Sequence, residues 1–230
     1  MILRTKYQIT YAKVLSFREY YKAVINPYFT IPKAKYSIEN LNSLDETISL
    51  ILCASGSEII FSNSSISINS DHTPEMLLEN GSDLQILFRL YKNLIETFPY
   101  IKDSGHETVE LIGLKSMDKK NNDIVESFLE IHGVIPMQNG DPDFRVTFTN
   151  KSGQSDSFHL DYGVYRPTTD NSIYKIYRYN EELRNAVSEK SGYLIRLYKT
   201  KKMKSAASKK TCKTFVDSSN EYMNKIMSKL

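Results

Sequence analysis

Two alternating segments between residues 144 and 165 constrain the fold more than any other feature of the chain. Phe144, Val146 and Phe148 occupy alternate positions, and residues 158–164 alternate in the same way after a turn at 150–153. Because successive side chains of a strand point to opposite faces, each segment predicts a strand with one apolar face. Together they predict an antiparallel hairpin.

Short strands and helices are predicted along the rest of the chain. Strands are predicted over residues 5–15, 48–54, 58–62, 65–69, 108–117, 173–179 and 193–199. The three between 48 and 69 are separated by short Ser, Gly and Asn turns and therefore predict a meander. Helices are predicted after Ser16, after Thr73, and over 84–98, 123–132 and 181–190. Segment 84–98 is apolar on nearly every face, which predicts a buried central helix.

This order of elements predicts an α+β fold in which antiparallel meanders pack with helices. We divide the chain into an N-terminal α+β half (1–133), a β-rich half of the same domain (134–198), and a basic segment with an amphipathic C-terminal helix (199–230). Each half runs three strands, helix, strand, helix. This order indicates two pseudo-repeated halves, although they share no residue motif.

The C-terminal helix is predicted from apolar residues at helical spacing between positions 212 and 230. Such a stripe either docks on its own domain or detaches to bind a partner. In the second case Phe215, Met223 and Met227 are the predicted contact residues, because methionine suits an adaptable surface.

Charge is distributed unevenly along the chain. Residues 191–230 hold ten basic and two acidic residues, a net charge of +8, whereas residues 1–190 hold 20 basic and 25 acidic residues, a net charge of −5. The candidate binding lysines are Lys199, Lys201, Lys202, Lys204, Lys209, Lys210 and Lys213. They could contact phosphates or an acidic surface of a partner or second copy. Because no aromatic residue interrupts them, a solvated linker or protein docking is favoured over nucleic acid.

A candidate ligand face lies on the 144–165 hairpin, on the side opposite the phenylalanines. The alternation places Arg145, Thr147, His159, Asp161 and Tyr165 there. A histidine beside a carboxylate can act as an acid–base pair. The alternative, which we favour, is a solvated sheet face with an ordinary histidine.

Several classes of protein lack support in the sequence. No nucleophile elbow, phosphate-binding glycine loop or metal-ligand spacing occurs, so we assign no catalytic residue, metal or cofactor. Cys212 lies among lysines that favour a thiolate, but it also begins the apolar stripe, which favours a small buried residue. Two cysteines, no long apolar run and no secretory signal predict a cytoplasmic protein without membrane association.

These observations favour a non-enzymatic binding protein, a subunit or regulator within a bacterial or phage complex, whose partner is another protein or a second copy of the chain. One alternative is a nucleic-acid-binding protein that uses the basic segment. The other is a hydrolase or ligand-sensing domain with a site near His159 and Asp161.

Overall fold

The structure is a computed structural model. It describes residues 1–117, 145–150 (backbone only), 156–165 and 190–230, with Glu130 and Asn185 as isolated positions and without Phe29, Asn42, Leu44, Cys53, Ala54 and Asn80. The side chains of Ala23 and Asp156 are not described. The predicted strand 173–179 lies outside the described residues, and so do nearly all of the predicted helices 123–132 and 181–190.

The described part contains nine strands and four α-helices, which confirms the predicted α+β fold. The strands are β1 (Ile2–Thr10), β2 (Ala34–Glu39), β3 (Thr47–Leu52), β4 (Ser57–Ser62), β5 (Ser65–Ser70), β6 (His106–Ser116), β7 (Arg145–Asn150), β8 (Asp156–Tyr165) and β9 (Gly192–Lys202). The helices are α1 (Phe17–Ile25), α2 (Pro74–Glu79), α3 (Gly81–Thr97) and α4 (Lys209–Lys229), with 3-10 turns at Asn26–Tyr28 and Pro99–Ile101.

All nine strands form one antiparallel sheet in the order β2-β3-β4-β5-β1-β6-β9-β8-β7. The predicted β3-β4-β5 meander and β7-β8 hairpin are both confirmed. Strands β6 and β9 come from distant parts of the chain and pair from His106–Lys202 to Ser116–Gly192. The two predicted halves therefore contribute strands to a single sheet.

The four described helices pack on the same face of the sheet, which we call the helix face. In the core on this face, alternate strand residues such as Tyr7, Ile59 and Leu111 pack with helix residues such as Phe17, Leu87 and Val216. On the opposite face, Leu3, Ile112, Leu114 and Tyr165 form a small separate apolar cluster. Leu3 reaches that face because a register irregularity between Ile2 and Arg4 shifts the alternation of β1.

Helix α3 differs from its prediction. It buries one stripe, which consists of Asp83, Leu84, Leu87, Leu90, Tyr91 and Leu94, while Gln85, Arg89, Lys92 and Glu96 are exposed. The predicted burial on all sides is therefore wrong. A helix in a layer that covers one sheet face has a side turned away from the core, and its apolar residues there, such as Phe88, are only half-buried.

The C-terminal elements also differ from the predicted boundary. Strand β9 continues to Lys202, so the first lysines of the basic segment belong to the sheet. Helix α4 begins after Ser208, whose Oγ accepts a hydrogen bond from the backbone N–H of Thr211 at 3.2 Å. Thr211 Oγ1 in turn accepts a hydrogen bond from the backbone N–H of Ser208 at 2.8 Å, which completes a capping box.

Candidate binding surfaces

Helix α4 is docked on the sheet of its own domain. Met223 is completely buried, and Phe215 and Met227 are also buried in the main core. Gly113 of β6 makes this close approach possible, because a Cβ at that position would lie 2.8 Å from Cε of Met223. The expectation that Phe215, Met223 and Met227 offer a surface to a partner is corrected, since the sheet already covers them.

A buried polar cluster lies where α4 begins. The carboxylate of Glu107 on β6 accepts a hydrogen bond from the Tyr7 hydroxyl at 2.5 Å and one from Thr211 Oγ1 at 3.2 Å. Lys201 Nζ lies 2.8 Å from its other oxygen. Burial raises the pKa of Tyr7 well above its ordinary value. Because the carboxylate is satisfied from three directions, the cluster anchors α4 to β1, β6 and β9.

The seven candidate lysines fall into two groups. Lys201 is paired with Glu107, and its ammonium also lies 4.4 Å from the Phe215 ring centroid, while Lys199 lies 5.8 Å from the rings of Phe215 and Tyr222. The others are exposed and have no carboxylate within 4 Å among the described residues: Lys202, Lys204, Lys209, Lys210 and Lys213. Only this second group remains available to an acidic ligand.

Cys212 is fully buried under the same helix. Burial in the core raises the pKa of its thiol, and the nearby Glu107 carboxylate acts in the same direction. The thiol therefore stays protonated at neutral pH, despite the lysines beside it in the sequence. The structure favours the small buried residue over the reactive thiolate.

The face opposite the helices, which we call the polar face, carries a row of polar residues. Strand register places one such residue from each of seven strands side by side: Glu58, Asn69, Lys6, Glu110, Tyr198, His159 and Thr149. A second line, one step along the strands, includes Arg196 and Asp161. Residues far apart in the sequence are thus assembled into one surface.

Specific contacts order the row and the second line. Arg196 Nε lies 2.5 Å from Glu110 Oε1, with the arginine side chain 53% exposed and the carboxylate largely covered. Asn69 Nδ2 donates to Glu58 Oε2 at 3.3 Å. Partial burial lowers the pKa of Lys6, and Glu110 opposes this effect. Positive and negative groups therefore alternate across the centre of the face.

The predicted ligand face is only partly assembled. His159 Nε2 and Asp161 Oδ1 lie 3.0 Å apart, with the histidine side chain 39% exposed and the aspartate side chain largely covered. Arg145 pairs with Gly163 in the register, which places it on the same face. Tyr165, however, is buried in the cluster with Leu3, Ile112 and Leu114, so its prediction as an exposed residue is wrong. Apolar neighbours from β1 and β6 cover it, and local alternation cannot reveal them.

Sequence reasoning missed Lys6, Glu110 and Arg196. Each lies on a different strand. Alternation predicted one buried face for the strand that holds Lys6, whereas the segments that hold Glu110 and Arg196 were predicted only as strands. No local signal indicated that β1, β6 and β9 are neighbours.

A further candidate site is a pocket on the helix side with a volume of about 550 Å³. It is lined by Ile31, Pro32, Leu52, Ser55, His72, Ser82, Asp83 and Ile86. His72 Nε2 contacts the backbone oxygen of Ser55, and Asp83 Oδ1 accepts a hydrogen bond from Ser82 Oγ at 3.2 Å. Within the described part of the chain, no three His, Cys, Asp or Glu side chains converge to hold a metal ion.

No protein-family model matches the chain, and neither a curated protein nor a solved structure shows significant similarity to it. None of the helices in the described ranges is long and apolar enough to cross a membrane.

Proposed function

We propose that the chain is a non-enzymatic binding protein, a subunit or regulator of a larger complex, and that its polar face engages a protein partner. The observation that carries the proposal is the polar row across the sheet together with the second line beside it, with exposed Tyr198 in the row and exposed Arg196 in the second line. This proposal replaces the expected use of the C-terminal helix, whose apolar stripe is buried.

The chemistry of the face favours a protein over a polyanion. Lys6 and Arg196 alternate with Glu110 and Asp161, so neither sign dominates the centre of the surface. A mixed pattern of this kind selects a partner by local complementarity of charge. Arginine and tyrosine are also the side chains that most often dominate the energy of protein interfaces.

Two of the side chains on this face are already oriented by contacts within the sheet in the absence of a partner. Arg196 is oriented by Glu110, and His159 by Asp161, on strands that pair on both sides in the sheet. A rigid surface loses little conformational entropy when it binds, which favours affinity.

Copurification with three variants of the intact chain tests this proposal. Arg196→Gln and Tyr198→Ala should each lose the copurifying partner, whereas Tyr100→Ala, which truncates an exposed tyrosine elsewhere, should retain it. Thermal unfolding of each variant checks that the fold is intact. A partner retained equally by all three variants would contradict the assignment of the polar face.

The basic segment supports a second candidate function, nucleic-acid binding. Five exposed lysines lie between Lys202 and Lys213 without a described carboxylate partner, and two of them, Lys209 and Lys210, begin α4. Positive charge at a helix N-terminus is unfavourable for the helix itself, so a bound phosphate would relieve a local cost. Gel shifts at several salt concentrations test this candidate, because phosphate contacts weaken steeply with salt. Absence of binding at low salt eliminates it.

The hydrolase or ligand-sensing alternative stays a prediction and centres on the His159–Asp161 pair. His159→Ala should leave stability unchanged in either case. Loss of a copurifying small ligand in this variant would favour the alternative, whereas loss of the protein partner alone would assign His159 to the proposed interface.

A further inference from the structure

Strand β2 forms one edge of the nine-stranded sheet and pairs only with β3 among the described strands. It is exposed along almost its whole length, including two large apolar residues, Tyr36 at 57% and Ile38 at 38%. An exposed edge strand presents backbone N–H and C=O groups that can pair with another strand.

The sequence of β2 is complementary to itself when two copies run antiparallel. If Ser37 of one copy lies opposite Ser37 of another, Lys35 faces Glu39 and Tyr36 faces Ile38. A two-fold axis repeats each of these pairs, so the contact contains two oppositely charged pairs and two pairs of aromatic with β-branched residues. Both kinds of cross-strand pair are favourable.

The two kinds of pair lie on opposite faces of the sheet. Register with β3 places Lys35 and Glu39 on the polar face, beside Ile51 and Thr47. Tyr36 and Ile38 lie on the helix face, where pairing would cover apolar surface that is now exposed.

Other registers fit poorly. Directly opposed residues must lie on the same face of the sheet, so the two-fold axis must pass through a residue position and not between two residues. The next possible positions of the axis on either side of Ser37 are therefore Tyr36 and Ile38. An axis at Tyr36 places Lys35 opposite Ser37, and Glu39 then faces Lys33, which has a positive φ of 62° and lies outside the strand. An axis at Ile38 places Glu39 opposite Ser37 and leaves Lys35 opposite Leu41. Only the axis at Ser37 pairs the charges within the strand.

We propose that two copies of the chain associate through β2, with the two-fold axis at Ser37, and that their sheets join into one continuous sheet. The partner is a second copy because the complementarity is internal to the strand. This contact is separate from the surface around Arg196 and Tyr198, and its test does not depend on the proposed function.

Charge reversal tests the register through sedimentation velocity of the full chain over a wide range of concentration. Lys35→Glu and Glu39→Lys each create two pairs of like charges, and each should weaken the dimer by at least about tenfold. The double variant Lys35→Glu/Glu39→Lys restores opposite pairs and should recover the dimer. Lys22→Glu reverses an exposed charge on α1 and serves as the matched control.

These reversals should not disturb the monomer, since the residues beside Lys35 and Glu39 on β3 are uncharged. Equal thermal stability of all four variants checks this point. A wild-type chain that stays monomeric at every concentration overturns the proposal and leaves the edge to a different partner. A dimer that single reversal does not weaken, or that the double variant does not restore, also overturns it.

A cysteine at the axis provides a second, covalent test. Directly opposed Cα atoms of antiparallel strands lie about 4.5–5.5 Å apart, a separation that a disulfide can span. With oxidised glutathione as the oxidant, Ser37→Cys should yield a disulfide-linked dimer that reducing agent dissolves. Ser228→Cys, on the exposed side of α4, is the control and should stay mainly monomeric. Equal crosslinking of the two variants contradicts the two-fold axis at Ser37.

Discussion

Shortening Met223 to alanine should destabilise the whole domain, because α4 is part of its core. The side chain is completely buried and rests on Gly113 of β6. If the helix were instead a detachable arm, the same change would have little effect on the folding of the rest of the chain.

The expected cost follows from the atoms removed. Met223→Ala deletes three heavy atoms, and burial of each is worth about 0.8 kcal/mol, which gives roughly 2.4 kcal/mol. A residual cavity adds to this loss, because the surrounding core relaxes only partly. We therefore expect the free energy of unfolding to fall by about 3 kcal/mol.

Urea denaturation, followed by circular dichroism, measures this change. Met76→Ala, which shortens a half-exposed methionine on α2, is the matched control and should change stability by less than about 0.5 kcal/mol. If both variants lose the same small amount, the helix is not packed on β6 in solution, and the detachable arm becomes the better interpretation.

A double-mutant cycle with Gly113→Ala sharpens the test. Alone, the added methyl group crowds Cε of Met223 at 2.8 Å. In the Met223→Ala background that methyl group enters the vacated space, so the two costs should not add, with a favourable coupling of about 1 kcal/mol. Independent costs would show that the two side chains do not meet.

Three further predictions address groups beneath or beside α4. Lys201→Ala leaves the buried Glu107 without its cation, so the free energy of unfolding measured in urea should fall by about 2 kcal/mol, a value discounted for the partial exposure of the lysine. The same change at exposed Lys202 should lower it by less than about 0.5 kcal/mol, and equal losses would contradict the pairing. Alkylation of Cys212, monitored by mass spectrometry of the peptide that contains it, should be much slower in the native protein than in urea. Equal rates would contradict the burial of this thiol. Burial raises the pKa of Tyr91 to about 12, above its ordinary value of 10, so the native state retains this proton at pH values where the unfolded chain releases it. The contribution of Tyr91 to stability is complete below pH 10 and is lost as the pH rises towards 12. Tyr91→Phe should therefore reduce the fall in the free energy of unfolding at alkaline pH. An unchanged fall would exclude Tyr91 as the source of this loss.

Much of the secondary structure could be predicted because it depends on neighbours in the sequence. The alternation around Phe148 and Leu160 predicted the β7-β8 hairpin, and the apolar spacing from Cys212 onwards predicted α4. In both cases the periodicity of side chains along one element carries the information.

The candidate site was less predictable for a physical reason. His159 and Asp161 lie two residues apart on one strand, so their proximity was visible in the sequence. The pairing of Glu110 with Arg196 spans 86 residues and exists because β6 and β9 are neighbours. Burial of Tyr165 likewise depends on side chains from other strands.

By itself, the sequence determined where most of the described strands and helices form, because these properties follow from backbone geometry and local spacing. It predicted neither β2 nor the one-sided burial of α3. Only the tertiary structure decided that the C-terminal stripe is covered by its own sheet, that charges from β1, β6 and β9 share one surface, and that β2 forms an edge. These outcomes depend on strand order and register, which are set by packing among segments distant in the chain.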